Sequence, residues 1–125
     1  MARMTLTLHH LATSRSTRIL WLLEELQLPY ELKVYQRDKA TRLAPPELKK
    51  IHPLGKSPVI TDNGEVFAES GAIIEYLVET YGQQPDSDLA HLQPAPRTPA
   101  HRQCRFWMHY AEGSLMNWLV MKLVF

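Results

Sequence analysis

The sequence predicts an α/β domain with the element order β-α-β-α-β-β-α, then a proline-rich linker and the start of an all-helical region. Three observations carry this. Short alternating or apolar runs at residues 5–9, 31–35, 59–61 and 66–68 have the length and period of strands. Longer segments around Ile19 and Ile73 repeat apolar residues at helical spacing. Residues 83–99 hold four prolines and little apolar content, which separates these elements from a last helical pattern. The expected organisation is a domain over 1–82, a linker over 83–99, and helix from 100 to 125.

Each element has a local cause. Thr-Leu-Thr-Leu in residues 5–9 alternates as a strand with one buried face does. Ile19, Leu20, Leu22, Leu23 and Leu26 then share one helix face, and Pro29 stops that helix. Leu32 and Val34 fall on one side of a second strand, and residues 37–42 are charged loop. Pro45 and Pro46 open a short helix through Lys50, because proline suits a first helical turn. Asp62, Asn63 and Gly64 form a hairpin turn between the last two strands. Ser70 starts the next helix, with Ile73, Ile74, Leu77, Val78 and Tyr81 on its buried face and Gly82 at its C-terminal cap. Phe106, Trp107, Tyr110, Leu115, Trp118 and Leu119 mark the final helix.

Composition narrows the function. The chain has 125 residues, 45 % hydrophobic and 22 % charged, with a formal net charge of +1. Its fourteen Lys and Arg residues are scattered, so nucleic acid is not an expected partner. No apolar run reaches the ~20 residues that span a bilayer, and residues 1–8 lack the apolar core of a signal peptide. A single cysteine, Cys104, fits a reducing compartment, and a cytoplasmic location is expected. Residues 115–125 are apolar apart from Asn117 and Lys122. A helix apolar on all sides must be covered on all sides, so the chain is expected to lack a following helical domain or to use a partner subunit.

Three segments carry chemistry. In residues 54–58, Pro58 stands at the entrance to a strand, where it cannot donate to the ladder. A cis Ser57–Pro58 bond would turn the backbone of Ser57 outward to pair with an extended peptide; a trans proline at a strand start is the alternative. In residues 69–73, Ser70 is a good helix cap, and the helix start is suited to a carboxylate. Glu69 beside it suits an ammonium group. Together they fit the two charged ends of an amino acid, against plain capping. In residues 12–18, Ser14 or Ser16 can cap a helix or donate a hydrogen bond to a bound thiolate. A thiol has a pKa near 8.5, and lowering it by about two units takes roughly 2.7 kcal/mol. One charge-assisted hydrogen bond and a helix terminus together are of that size.

Other chemistries are not encoded. There is no G-x-S-x-G elbow, no C-x-x-C and no glycine-rich phosphate loop. His9 and His10 point to opposite faces of a strand and do not share a metal. His101, Cys104 and His109 lack a zinc spacing and decorate a helix. No metal is expected.

The phrases SRSTRILWLLEELQLPYEL, APPELKKIHPLGKSPVI and AESGAIIEYL, in this order, resemble the cytosolic glutathione S-transferases, bacterial and fungal serine-type members above all. The resemblance implies a thioredoxin-like N-terminal domain over residues 4–82 and the first helix of an all-helical second domain. It implies a cis Pro58, with Ser57 pairing to the cysteinyl residue of glutathione. Glu69 and Ser70 would hold the γ-glutamyl end, and Lys56, with His52 as the weaker candidate, the glycyl carboxylate. Ser14 aligns with the catalytic hydroxyl, and Ser16 is the alternative donor. Trp107 and Tyr110 would line the pocket of an electrophilic co-substrate or else serve as core. The family further implies a homodimer, a detoxifying transferase activity with glutathione as co-substrate, and no metal. The rival reading is a non-catalytic binding or interaction module of the same fold.

Overall fold

The computed structural model describes residues 5–82 and 92–125. The elements are β1 (Thr7–Leu11), α1 (Ser16–Glu25), β2 (Glu31–Tyr35), α2 (Glu47–Ile51), β3 (Val59–Asp62), β4 (Glu65–Ala68) and α3 (Ser70–Tyr81). Then follow α4 (Pro99–Tyr110), a π-helical turn over Ala111–Leu115, and α5 (Met116–Val124). The first seven elements follow the expected order. Two compact units divide the chain, one ending at Leu77 and the other beginning at Val78.

In the first unit the sheet order is β2-β1-β3-β4. β1 runs parallel to β2, with Leu8 opposite Leu32 and His10 opposite Val34, and antiparallel to β3, with His9 opposite Val59. A parallel pair needs a crossover, which α1 supplies. β1 is therefore central. It differs from expectation in two ways. It starts at Thr7 and runs to Leu11, because β2 offers partners as far as Tyr35. It is also buried on both faces, with Thr7 and His9 as covered as Leu8 and Leu11. Leu32 and Val34 are exposed on the edge strand β2.

Ile19, Leu22 and Leu23 of α1, Leu48 of α2 and Ile73 and Leu77 of α3 complete the core around Leu8, Val59 and Ile60. Ile74 and Tyr81, expected on the buried face of α3, are only half-buried. Pro29 does not stop α1. The helix ends earlier, at Glu25, and just beyond it the left-handed φ of 51° at Gln27 lets the amides of Gln27 and Leu28 bond back to Glu24 and Leu23. The β3–β4 turn is shorter than expected. Asp62 pairs with Glu65, leaving only Asn63 and Gly64, with φ of 47° and 90°. Two positive φ angles make the turn whose twist suits a hairpin. Tyr76 of α3 locks the hairpin down by donating to Asp62 Oδ2 at 2.8 Å and stacking on Phe67 at 4.0 Å.

In the second unit, Gly82 is not a left-handed cap. Its amide bonds the Val78 carbonyl, and an added Cβ would lie 2.6 Å from that oxygen, so the glycine serves close approach. Residues 83–91 of the expected linker lie outside the described residues. α4 begins one residue early, at Pro99, because Thr98 caps it by accepting from the His101 amide at 3.2 Å. The expected single helix is interrupted by the π turn, and Asn117 Nδ2 donates to the Gly113 carbonyl at 3.0 Å within it. Among the described residues no helix is long and apolar enough to cross a membrane.

Candidate functional site

The strand register gathers the expected site residues at one end of the sheet. Val59 begins β3 opposite His9, near the C-terminal end of β1, and opposite Ala68, the last residue of β4. The loop after Leu11, the Ser57–Pro58 pair before Val59, and Glu69 and Ser70 after Ala68 thus emerge together. The Ser57–Pro58 peptide is cis, as the resemblance implies. Ser57 Oγ donates to the His9 carbonyl at 2.8 Å, which ties this loop to β1.

Ser14 and Ser16 have different surroundings. Ser14 is half-buried in the β1–α1 loop. Its hydroxyl donates to the Leu11 carbonyl at 2.6 Å and accepts the Ser16 amide at 3.1 Å. It therefore satisfies the first amide of α1 from a position before the cap residue, Arg15, whose side chain makes no capping bond. Ser16 is fully buried. Its Oγ lies 2.8 Å from Ser14 Oγ and 2.7 Å from His10 Nδ1, and it also meets the Leu11 carbonyl at 3.1 Å and the Leu11 amide at 3.3 Å. A hydroxyl with no exposed surface does not meet a ligand as it stands, so the two serines are not equivalent. The positive end of α1 lies at Ser14, where an anion is favoured.

Arg37, just beyond β2, holds this loop. Its guanidinium donates to the carbonyls of Ala12 at 3.2 Å and Thr13 at 2.8 Å, and to that of Arg42 at 3.0 Å. Thr13 stands at a φ of 55°, so two successive carbonyls turn toward one planar donor. Asp38 closes the neighbouring turn by accepting from the Thr41 and Ala40 amides and the Thr41 hydroxyl. The Thr41 amide leads in holding the Asp38 carboxyl below its usual pKa. The sequence marks neither Arg37 nor His10 as part of a site. Arg37 stands in a charged run, and beside His9 the sequence suggests for His10 only a metal ligand. The parity of β1 was the available signal, since it sends His9 and His10 to different faces.

Glu69 is exposed at a φ of 73°, and its carbonyl accepts the Ile73 amide, so Glu69 rather than Ser70 occupies the cap position of α3. Ser70 is buried as the first helical residue. Lys56 is exposed beside Ser57. His52 is half-buried, and its Nδ1 accepts the Leu54 amide at 3.3 Å, which commits that nitrogen to the local turn. His9, on the other face of β1, bonds Tyr35 Oη at 2.9 Å. Burial, with Lys33 nearby, pushes its pKa below 6.5. In the second unit, Trp107 and Tyr110 are exposed on α4 and meet edge to face at 5.4 Å. Among the described residues no group of three or more His, Cys, Asp or Glu side chains is arranged to hold a metal.

Known proteins match this frame. Residues 4–79 fit the family model described as glutathione S-transferase, N-terminal domain. Glutathione S-transferase 3 of Schizosaccharomyces pombe is 45 % identical over 91 % of this chain and 44 % of its own length. A solved glutathione S-transferase from Actinobacillus pleuropneumoniae is 46 % identical with a TM-score of 0.73, over 82 % of this chain and 46 % of that one. A glutathione transferase homologue from Sulfitobacter, solved with bound glutathione, is 28 % identical with a TM-score of 0.65, over 85 % of this chain and 48 % of that one. The chain thus spans about half the length of these relatives. With its thioredoxin-like sheet, its cis-proline loop and a family match covering most of the first unit, the chain belongs to the glutathione S-transferase family.

Proposed function

We propose that the chain binds glutathione at the gathered end of the sheet and that Ser14 stabilises its thiolate for attack on an electrophilic small molecule. The observation that carries this is the half-buried Ser14 hydroxyl at the head of α1, beside a Ser16 that is sealed from any ligand. In the free protein the Leu11 carbonyl holds the Ser14 proton. When glutathione binds, the hydroxyl turns that proton to the sulfur and keeps the Ser16 amide as its donor. The outward backbone of Ser57 pairs with the cysteinyl residue. Glu69 takes the γ-glutamyl ammonium, and the buried Ser70 at the start of α3 takes the α-carboxylate. Lys56 meets the glycyl carboxylate, with His52 as the lesser contact. The bound glutathione of the Sulfitobacter homologue supports this choice of ligand. The protein is a cytoplasmic homodimer in this reading, with detoxification as its role and no metal in its chemistry.

Retention on immobilised glutathione, followed by conjugation of glutathione to an aryl halide, tests the reading. We expect Ser14→Ala to keep retention and to lose about tenfold to a hundredfold in kcat/KM, the range of one hydrogen bond to a charged group. Retention with no turnover, and no change on Ser14→Ala, would instead support a binding module.

A further inference from the structure

We propose that Ser16 and His10 form a proton relay behind Ser14, which carries the thiol proton of bound glutathione into the sheet. This rests on the reading of Ser14 above. The observation is a chain of short contacts. Ser14 Oγ lies 2.8 Å from Ser16 Oγ, which lies 2.7 Å from His10 Nδ1. Its outer end is half-buried and its middle is fully buried. A sealed hydroxyl between a second hydroxyl and an imidazole nitrogen is a poor ligand contact and a good conductor. Each hydroxyl has one proton to give and two acceptor sites, so it can receive on one side while it gives on the other.

A neutral His10 with its hydrogen on Nε2 presents Nδ1 as an acceptor. Ser16 then donates to Nδ1, Ser14 donates to Ser16, and the glutathione thiol donates to Ser14. Ionisation reverses all three bonds together. The S–H bond breaks and its electron pair stays on sulfur. Ser14 receives that proton and passes its own to Ser16, and Ser16 passes its own to Nδ1. Both serines end neutral, sulfur is a thiolate, and His10 is an imidazolium. His10 now donates to Ser16, Ser16 to Ser14, and Ser14 to the thiolate. Hydrogen bonds aligned in this way strengthen one another, so the relay that removes the proton also turns Ser14 into a better donor. His10 is half-buried, so its ring can return the proton to solvent.

The surroundings leave His10 free for this role. Its partner on β2 is Val34. Glu31 and Lys33 on that strand stand opposite Thr7 and His9, and so belong to the other face. The charged groups at the head of α1 are Arg15 and Arg18. Arg37 is engaged with the loop carbonyls. His9 is unsuited despite its place in the chain, because its ring faces Tyr35 and Thr61.

Two measurements on the full chain test the relay. The first uses the unsubstituted protein. Imidazole resonances are titrated by NMR with saturating glutathione or with S-methylglutathione, which has no thiol proton. The thiolate is expected to raise the His10 pKa by about 1 unit over the S-methyl complex, a tenfold change in proton affinity. Equal titrations in the two complexes would overturn the relay. The second compares the thiol pKa of bound glutathione, read from thiolate absorbance, in Ser14→Ala, Ser16→Ala and His10→Asn. Asparagine keeps a hydrogen-bonding group there but cannot take the proton. Each variant is expected to raise the thiol pKa by about 1 unit while the glutathione Kd stays within about threefold, and His10→Asn is expected to add little to Ser14→Ala, as members of one chain do. A raised value for Ser14→Ala with an unchanged one for His10→Asn overturns the relay and leaves Ser14 in its role. Unchanged values in all three overturn both. Failure of the unsubstituted chain to bind glutathione overturns the binding reading and the relay with it.

Discussion

Ser14 has one proton, and its neighbours decide where that proton points. The Leu11 carbonyl holds it inward at 2.6 Å, while the Ser16 amide fills an acceptor site from behind at 3.1 Å. Turning toward a thiolate exchanges a neutral acceptor for a charged one, which is a favourable trade of about 1 kcal/mol or more. The residue type at this position was legible in the sequence. What separates it from Ser16 was not, because burial is set by how α1 packs on β1, and two serines two positions apart look alike in a string. His9 carries a separate, testable consequence. Burial lowers its pKa below 6.5 in the folded state, so the unfolded chain binds that proton first as pH falls. Stability from this group is fully present above 6.5, declines as pH falls through it, and levels off below the folded-state value. Denaturant unfolding measured across that interval should show the decline, and His9→Gln should flatten it. An unchanged slope in the variant would mean that His9 is not the group responsible.

At the scale of elements, the loop that carries Ser14 is held from outside by Arg37 and the turn behind it. Three carbonyls converge on that one guanidinium, two of them from the loop itself. Arg37→Gln keeps a donor but loses the planar fork. We expect a stability loss of about 1 kcal/mol, since exposed bonds of this kind contribute modestly. We also expect a rise in KM for glutathione larger than the fall in kcat, because the loop is looser before the ligand arrives. A fall in kcat alone would place Arg37 in the chemistry and not in the scaffold. Strand and helix positions were mostly legible, because apolar period reports them. The ends were less so. α1 stops at Glu25, ahead of a left-handed turn at Gln27 that a glutamine rarely signals, and Asp62 pairs in the ladder although it reads as a turn residue. The π turn left no mark, because Gly113 and its neighbours lack the bulky side chains that show a change of period.

At the scale of the whole molecule, the second unit presents much apolar surface. Trp118, Leu123 and Phe125 are 76 %, 83 % and 95 % exposed on or just after α5. Contiguous apolar surface of this kind drives association in water. We expect sedimentation to show concentration-dependent self-association of the chain, and Leu119→Glu with Leu123→Glu to reduce it. Equal sedimentation of the two proteins would mean that this face is not the one that associates. The α/β order and the apolar tail of the last helix were both legible, because each is written in side-chain type along the chain. The gathering of Ser14, Ser57 and Glu69 at one sheet end was only implied, since register depends on pairing across strands far apart in sequence. That gathering is what a bound thiol would report. The most direct measurement is the pKa of glutathione bound to this chain, followed by thiolate absorbance across pH. We expect a value about two units below the 8.5 of an ordinary thiol, and a return of at least about one unit in Ser14→Ala. A bound thiol that titrates as free glutathione does, in both proteins, would contradict the role assigned to Ser14.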